Sequence, residues 1–297
     1  MSDTTRQYHD DKMTQDDRGL DNLALQRTNT FLSLSPEQFE KLYLSPQNKV
    51  KGELRQSFAN PTPVAVMGFC VALLPLSVQF MGWRGAGGQF TATVGANVFF
   101  GGMLLILAGI GEFLLGNTFP SVVFFGYGAH FLTFSATFIP WFAAVSSFNV
   151  TGAATGTQTL SPAFLAGFGF YALSMTMLSF IFLICSLRTN IAFVLVFIGA
   201  TMGFGFATGT FWMLAVGNAS FGGLLLKATG GSFFACVMCG WYLLFAIMMS
   251  AVDMPFAIPV GDLSTVIAGM SERNKAKANN TPITSLAYIR YIVQSVA

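Results

Sequence analysis

The distribution of charge along the chain restricts its fold more than any other feature. Between residues 56 and 252 the sequence carries only four formally charged side chains, which are Arg84, Glu112, Arg188 and Lys227. Charged residues make up 9% of the whole chain, whereas a soluble domain carries roughly 25%. Because so little charge is available to solvate this long segment, we expect its apolar surface to face lipid.

Six apolar runs in this segment are long enough to cross a bilayer, which takes about 20 apolar residues per helix. Each run is continuously apolar, whereas a strand of a membrane barrel shows about ten residues of alternating polarity. The sequence therefore predicts an all-α membrane protein with six transmembrane helices per protomer. The predicted spans cover residues 64–83, 91–115, 121–145, 162–187, 191–216 and 232–252.

Lysine and arginine residues near the helix ends predict the orientation of the protein. With six spans both termini lie on one side, and because most of these basic residues share that side, the positive-inside rule places both termini in the cytoplasm. We therefore predict a largely disordered cytoplasmic tail over 1–55, a six-helix domain over 56–255 and a second cytoplasmic tail over 256–297. The basic residues on that side are Lys49, Lys51, Arg55, Arg188, Arg273, Lys275 and Lys277.

Glycine and polar residues separate the predicted spans. Residues 116–118 form a short turn, and the glycine-rich residues 217–231 are predicted to form a loop that carries Lys227. The net charge of +2 describes the two tails rather than a basic surface, so we expect no nucleic-acid partner.

A first group of polar residues, Asn60-Pro61-Thr62-Pro63, stands at the entrance to the first span. The side-chain oxygen of Asn60 is able to cap the helix, and free backbone amides at a helix start favour an anion. Two interpretations remain open: a plain helix start, or a position that faces the substrate.

A second group of polar residues surrounds Glu112, the only acidic residue of the apolar segment. Asn117 and Thr118 follow it in the next turn, and His130 lies further along the third predicted span. Polar groups inside a bilayer are costly and often mark a functional pathway. These residues either form a structural lock between helices or take part in the passage of a proton or substrate.

The residues of an enzyme active site are not apparent in the sequence, which shows no nucleophile with a base, no phosphate loop and no metal cluster. Cys236-x-x-Cys239 is half of a metal or redox motif, but no second cysteine or histidine pair completes it. We therefore expect no enzymatic activity, no cofactor and no metal.

Several motifs in a fixed order resemble the acetate uptake transporter family, also called the YaaH-type or succinate–acetate permease family. The resemblance covers about residues 58–265 and all six predicted spans. The segment with the greatest similarity runs from Phe99-Phe100-Gly101-Gly102 through Glu112 and Gly116-Asn117-Thr118-Phe119 to Tyr127-Gly128. The other matching segments are Asn60-Pro61-Thr62-Pro63, Ser186-Leu187-Arg188-Thr189-Asn190, Gly240-Trp241-Tyr242 and Pro259-Val260-Gly261-Asp262-Leu263-Ser264.

This resemblance implies a homo-hexamer with a pore through each six-helix protomer, in a fungal plasma membrane. It implies transport of acetate and other short monocarboxylates together with protons. The family's narrow constriction, built from Phe, Tyr and Leu, maps onto Phe69, Tyr127 and Ala200, and its carboxylate-binding Asn maps onto Asn60. On this basis we expect the substrate to pass Asn60, cross the constriction and leave near Glu112.

The sequence also departs from the family at several positions. Ala200 is smaller than the Leu it replaces, and His130 stands where an aromatic residue is common. Two other functions therefore stay open: export of ammonia or ammonium, and a carboxylate sensor that carries no flux. The other departures are Ala65, Leu105, Pro120, Phe125 and Gly126.

Overall fold

The computed structural model describes residues 58–87, 92–148, 160–256, 258–261, 263, 270 and 273–274. The predicted N-terminal tail and most of the predicted C-terminal tail lie outside these residues. The division of the chain into two tails and a central domain therefore stays a prediction.

Six long helices dominate the described residues, and five of them are long and apolar enough to cross a membrane. The exception is α3, whose His, Tyr, Ser and Thr side chains reduce its mean hydropathy. The all-α membrane fold is confirmed, whereas the sixth crossing and the cytoplasmic placement of the termini stay predictions. The helices are α1 (Thr62–Met81), α2 (Val94–Leu114), α3 (Thr118–Phe138), α4 (Pro162–Ser186), α5 (Ile191–Ala215) and α6 (Ala219–Ala251).

The outer surface of these helices is apolar, as lipid requires. Large side chains such as Leu107 on α2, Phe170 on α4 and Phe245 on α6 are each more than half exposed. Several polar side chains are fully buried instead, including Asn97 and Glu112. Apolar side chains gain nothing from leaving hydrocarbon, so close packing and internal hydrogen bonds hold such helices together.

The start of the last helix differs from the prediction. We expected residues 217–231 to form a loop, but α6 begins at Ala219 and is 33 residues long, so that prediction is wrong. The glycines in this stretch allow close packing rather than a break. A Cβ at Gly230 would lie 2.6 Å from the Ser77 carbonyl oxygen of α1, and one at Gly222 would lie 2.8 Å from the Leu214 side chain.

Two further features of the helices were not predicted. The end of the third predicted span was placed at residue 145, but α3 stops at Phe138, just before Pro140, which cannot continue the helix. Within α2, residues Asn97–Leu104 form a π-helix. Gly101 lies in this stretch, where a Cβ would stand 2.5 Å from Cγ of the Phe131 ring of α3.

The described residues from 58 to 248 and from 259 to 263 form one compact unit, which contains the features described below. The described residues 249–256 and 258 belong to a second unit. In that unit the Met254 amide donates to the Met249 carbonyl oxygen at 3.0 Å, and Asp253 adopts a positive φ of 53° in the turn after α6.

Candidate functional site

Two cavities lie inside the helix bundle, one in each half. The wide cavity encloses about 300 Å³ and extends toward the end of the bundle where α1 finishes, as its lining residues Phe80, Phe138 and Leu214 indicate. The narrow cavity encloses about 40 Å³ and lies toward the opposite end, beside Ala65 and Val123 at the starts of α1 and α3.

Phe69 and Tyr127 line both cavities and therefore stand between them. We call these two side chains the constriction. Ala200 lines the wide cavity and is 4% exposed, so the three predicted positions do come together. One turn before and after Ala200 on α5, Phe197 lines the narrow cavity and Phe204 lines the wide one.

The ring of Tyr127 is held in place by aromatic neighbours and one hydrogen bond. It stacks on Phe197 and Phe204, with ring centroids 6.3 and 6.4 Å away and interplanar angles of 19° and 8°. Its hydroxyl donates to Ser179 Oγ on α4 at 3.0 Å. Sequence reasoning missed the fully buried Ser179, whose one signal was a hydroxyl within an apolar run.

Phe69 owes its position to a glycine on α6. A Cβ added at Gly240 would lie 2.8 Å from Phe69 Cε1 and 2.9 Å from Cys70 Sγ. Because real Cβ atoms do not approach so closely, the absence of a side chain at residue 240 lets the phenyl ring lie against α6.

His130 lies on the wall of the wide cavity, one turn along α3 from Tyr127. Its Nδ1 is 2.8 Å from the Tyr171 hydroxyl of α4, and the two rings stack with centroids 5.8 Å apart. The ring of Phe204 meets the imidazole edge-on at 4.8 Å. The sequence pointed to His130 but not to its partner.

Three other polar side chains on the wall of the wide cavity each donate to a backbone carbonyl group, so their donors are occupied. They are Thr210, Thr229 and Cys236, which donate to the carbonyl oxygens of Phe206, Leu225 and Val196 at 2.9, 3.0 and 3.1 Å. Among the described residues that line either cavity, none carries a formal charge.

Glu112 lies in neither cavity but at the end of α2, where it is 0% exposed. The Thr62 hydroxyl of α1 donates to its Oε1, and Asn117 Nδ2 donates to its Oε2 at 2.6 Å. We call Thr62, Glu112 and Asn117 the Glu112 lock. Sequence reasoning singled out Glu112 and Asn117 but not Thr62 as their partner, and Thr118, grouped with them, is exposed at the start of α3.

The backbone around the Glu112 lock explains its position. Gly116 adopts a positive φ of 76° and ends α2, which brings Asn117 back so that its amide donates to the Glu112 carbonyl oxygen at 2.9 Å. Pro61 packs on Gly111, where a Cβ would lie 2.8 Å from the proline ring. These contacts join the start of α1, the end of α2 and the start of α3.

Asn60 precedes α1 at this same end, and its Oδ1 accepts a hydrogen bond from the Thr62 amide at 2.9 Å. The expected order of passage is therefore wrong: Asn60 and Glu112 do not stand on opposite sides of the constriction, because Thr62 touches both. The predicted group of Glu112, Asn117, Thr118 and His130 also divides, since His130 lies beyond Tyr127 in the other half of the bundle.

Comparison with known proteins gives consistent results. The model of the GPR1/FUN34/yaaH family matches residues 43–265. The chain is similar to protein alcS of Aspergillus fumigatus, with 45% identity over 235 residues that make up 79% of this chain and 86% of that protein.

More distant relatives carry names that describe transport. Acetate permease A of Emericella nidulans is 27% identical over 75% of this chain and 72% of its own. Ammonia transport outward protein 2 of Saccharomyces cerevisiae is 27% identical over 69% of this chain and 68% of its own. Among solved structures, the bacterial acetate channel SatP superposes with a TM-score of 0.52 at 22% identity, covering 69% of this chain and 99% of that one, which supports the fold alone.

Proposed function

The chain belongs to the GPR1/FUN34/yaaH family, and on that premise we propose that it carries acetate and other short monocarboxylic acids across a membrane in their protonated form. Transport of the neutral acid moves one proton with each carboxylate, so no separate proton site is required. The name of its relative acetate permease A supports the choice of substrate.

The arrangement of the two cavities is the main observation that supports this proposal. The Phe69–Tyr127 constriction separates a wide cavity from a narrow one, and the described residues that line both are uncharged and mostly apolar. An isolated carboxylate loses several kcal/mol or more when it leaves water for such surroundings, whereas a neutral acid avoids most of this cost. The same walls accept the short alkyl group of the acid.

With both termini in the cytoplasm, the wide cavity faces outward and the Glu112 lock lies at the cytoplasmic end. A substrate entering from outside then crosses the wide cavity, the constriction and the narrow cavity, and leaves near Asn60. We propose the plasma membrane as the location and a homo-hexamer as the assembly. Both rest on family resemblance, and cross-linking of the protein in native membranes tests the assembly.

Uptake of radiolabelled acetate into proteoliposomes tests the mechanism. At a fixed total acetate concentration, we expect the protein-dependent rate to rise as the external pH falls toward the carboxyl pKa, because the protonated fraction grows about tenfold per pH unit. Liposomes without protein give the background, since acetic acid also crosses lipid unaided. A protein-dependent uptake rate that does not change with external pH would mean that the anion is the transported species.

Ammonia is the second candidate substrate, because an uncharged passage suits any small neutral molecule and a relative is named as an ammonia transporter. Competition separates the two functions. Excess propionate should slow acetate entry if the acids share the constriction, whereas methylamine should not. The reverse result, together with rapid alkalinisation of vesicles by ammonium salts, would favour ammonia.

A further inference from the structure

We propose that His130 and Tyr171 form a binding station for the carboxyl group of the substrate, placed in the wide cavity just before the constriction, and that this pair selects the protonated acid. This inference rests on the proposed function and deepens it by naming the groups that recognise the substrate. The pair differs from the other polar side chains of the cavity wall because it includes a side-chain nitrogen, His130 Nε2, with no hydrogen-bond partner among the described residues.

The geometry holds the pair rigidly. The 2.8 Å contact between His130 Nδ1 and the Tyr171 hydroxyl joins α3 to α4, and the rings are nearly parallel at 17°. Phe204 presses edge-on against the imidazole. With its ring held on both sides, His130 needs little rearrangement to meet a ligand.

The remaining capacity lies on the imidazole. Nδ1 is used by Tyr171, and Nε2 has no hydrogen-bond partner among the described residues. By contrast, Thr210, Thr229 and Cys236 donate to backbone carbonyl groups, and Tyr127 donates to Ser179. A carboxyl group entering this apolar space therefore finds its best partner at His130.

The neutral imidazole fits a protonated acid in either tautomer. If the Tyr171 hydroxyl donates to Nδ1, the proton of the ring is on Nε2, which then donates to the acid's carbonyl oxygen. If Nδ1 carries the proton, Nε2 accepts from the acid's hydroxyl instead. A carboxylate pairs with only one of the two tautomers. It also brings a negative charge into an apolar cavity whose described lining residues include no Lys or Arg, so the station favours the neutral acid.

The station also lies at a useful distance from the constriction. His130 follows Tyr127 by three residues on the same helix, which places the two side chains on one face and roughly 4.5 Å apart along the axis. An acid bound at His130 therefore has its alkyl group within reach of the gap between Phe69 and Tyr127. We infer that the station orients the acid before it crosses.

Acetate uptake by two variants and one control tests the station. Tyr171→Phe removes only the hydroxyl, and His130→Phe removes both ring nitrogens while keeping an aromatic ring. We expect His130→Phe to raise the half-saturation concentration for acetate about fivefold, the size expected from one neutral hydrogen bond. Tyr171→Phe should raise it less, because it removes the bond that holds the imidazole but leaves Nε2 in place. The control is Ser174→Ala, which removes an exposed hydroxyl on α4 that donates to the Phe170 carbonyl oxygen at 3.0 Å. It should leave uptake unchanged.

An unchanged half-saturation concentration in either variant would overturn the station while leaving the proposed function in place. If the unmodified protein carries no acetate, the proposed function fails. A measurement of acetic acid binding to His130 then tests the station separately. The chain has two histidines, so a ¹⁵N-histidine-labelled His9→Gln protein gives the nitrogen signals of His130 alone. Acetic acid should shift the Nε2 signal, and the absence of a shift would overturn the station even if a variant fails to fold.

Discussion

Glu112 and His130 are both polar side chains within apolar helices, yet their surroundings differ in kind. Glu112 is fully buried at the end of α2, with donors on both carboxylate oxygens from Thr62 and Asn117. His130 lies on the wall of a cavity of about 300 Å³, with one ring nitrogen bonded and the other turned to no described partner.

The difference indicates how to separate structural from functional polar groups in a membrane. A group whose hydrogen bonds all close within the protein stabilises helix contacts, as the Glu112 lock does for α1, α2 and α3. A group that faces a cavity with capacity left over is available to a ligand. On this criterion we favour the structural interpretation of Glu112, which the sequence left open, over a proton site. For His130 we propose the functional interpretation.

The largest expected effect comes from breaking the Glu112 lock. Glu112→Ala leaves the Thr62 hydroxyl and the Asn117 amide without their buried acceptor, so we expect the free energy of unfolding to fall by about 3 kcal/mol. Thermal unfolding of the purified protein in detergent measures this loss. Glu112→Gln keeps the size and one acceptor oxygen, and it should lose about 1 kcal/mol. A stable Glu112→Ala protein that has lost only its pH response would make Glu112 a proton site.

The next effect tests whether the position of Phe69 limits passage through the constriction. Gly240→Ala places a Cβ 2.8 Å from Phe69 Cε1, which forces the ring toward Tyr127 and narrows the gap. Overpacking of this kind costs about 1–3 kcal/mol, and a similar increase in the barrier would slow maximal acetate uptake about tenfold. Gly231→Ala on the same helix is the control, because a Cβ there meets no atom within 4 Å. Equal uptake by both variants would show that Phe69 does not limit passage.

The smallest effect concerns the hydrogen bond that holds Tyr127. Ser179→Ala removes the acceptor of the Tyr127 hydroxyl, and we expect a loss of about 1 kcal/mol of stability because the stacked rings still hold Tyr127 in place. A double-mutant cycle with Tyr127→Phe measures the coupling between the two hydroxyls. If the cycle gives no coupling, the bond does not contribute, and Tyr127 is positioned by stacking alone.

Much of the helical organisation could be predicted from the sequence. Four of the six predicted spans have both boundaries within three residues of those of the observed helices, which are α1, α2, α4 and α5. The two errors have local causes. Glycines between residues 217 and 231 are typical of loops, but here they permit contact with α1 and α5, and Pro140 ended α3 earlier than its hydropathy indicated.

The site was predicted in part. Family resemblance predicted that Phe69, Tyr127 and Ala200 lie in one region. In the structure all three line the wide cavity. Their roles as a substrate pathway stay predictions, as does that of Asn60. Ser179 and Tyr171 were missed because a serine or tyrosine in an apolar run has no periodicity that distinguishes it from a lipid-facing residue.

By itself the sequence determined that this chain crosses a membrane as apolar helices, because hydropathy is a local property and a backbone in lipid must bond within its own helix. Only the tertiary structure decided which polar side chains meet. Those pairs join residues 41 to 52 positions apart, His130 with Tyr171, Thr62 with Glu112 and Tyr127 with Ser179. Their meeting depends on the rotation of each helix about its axis, which close packing at small residues sets and local sequence does not.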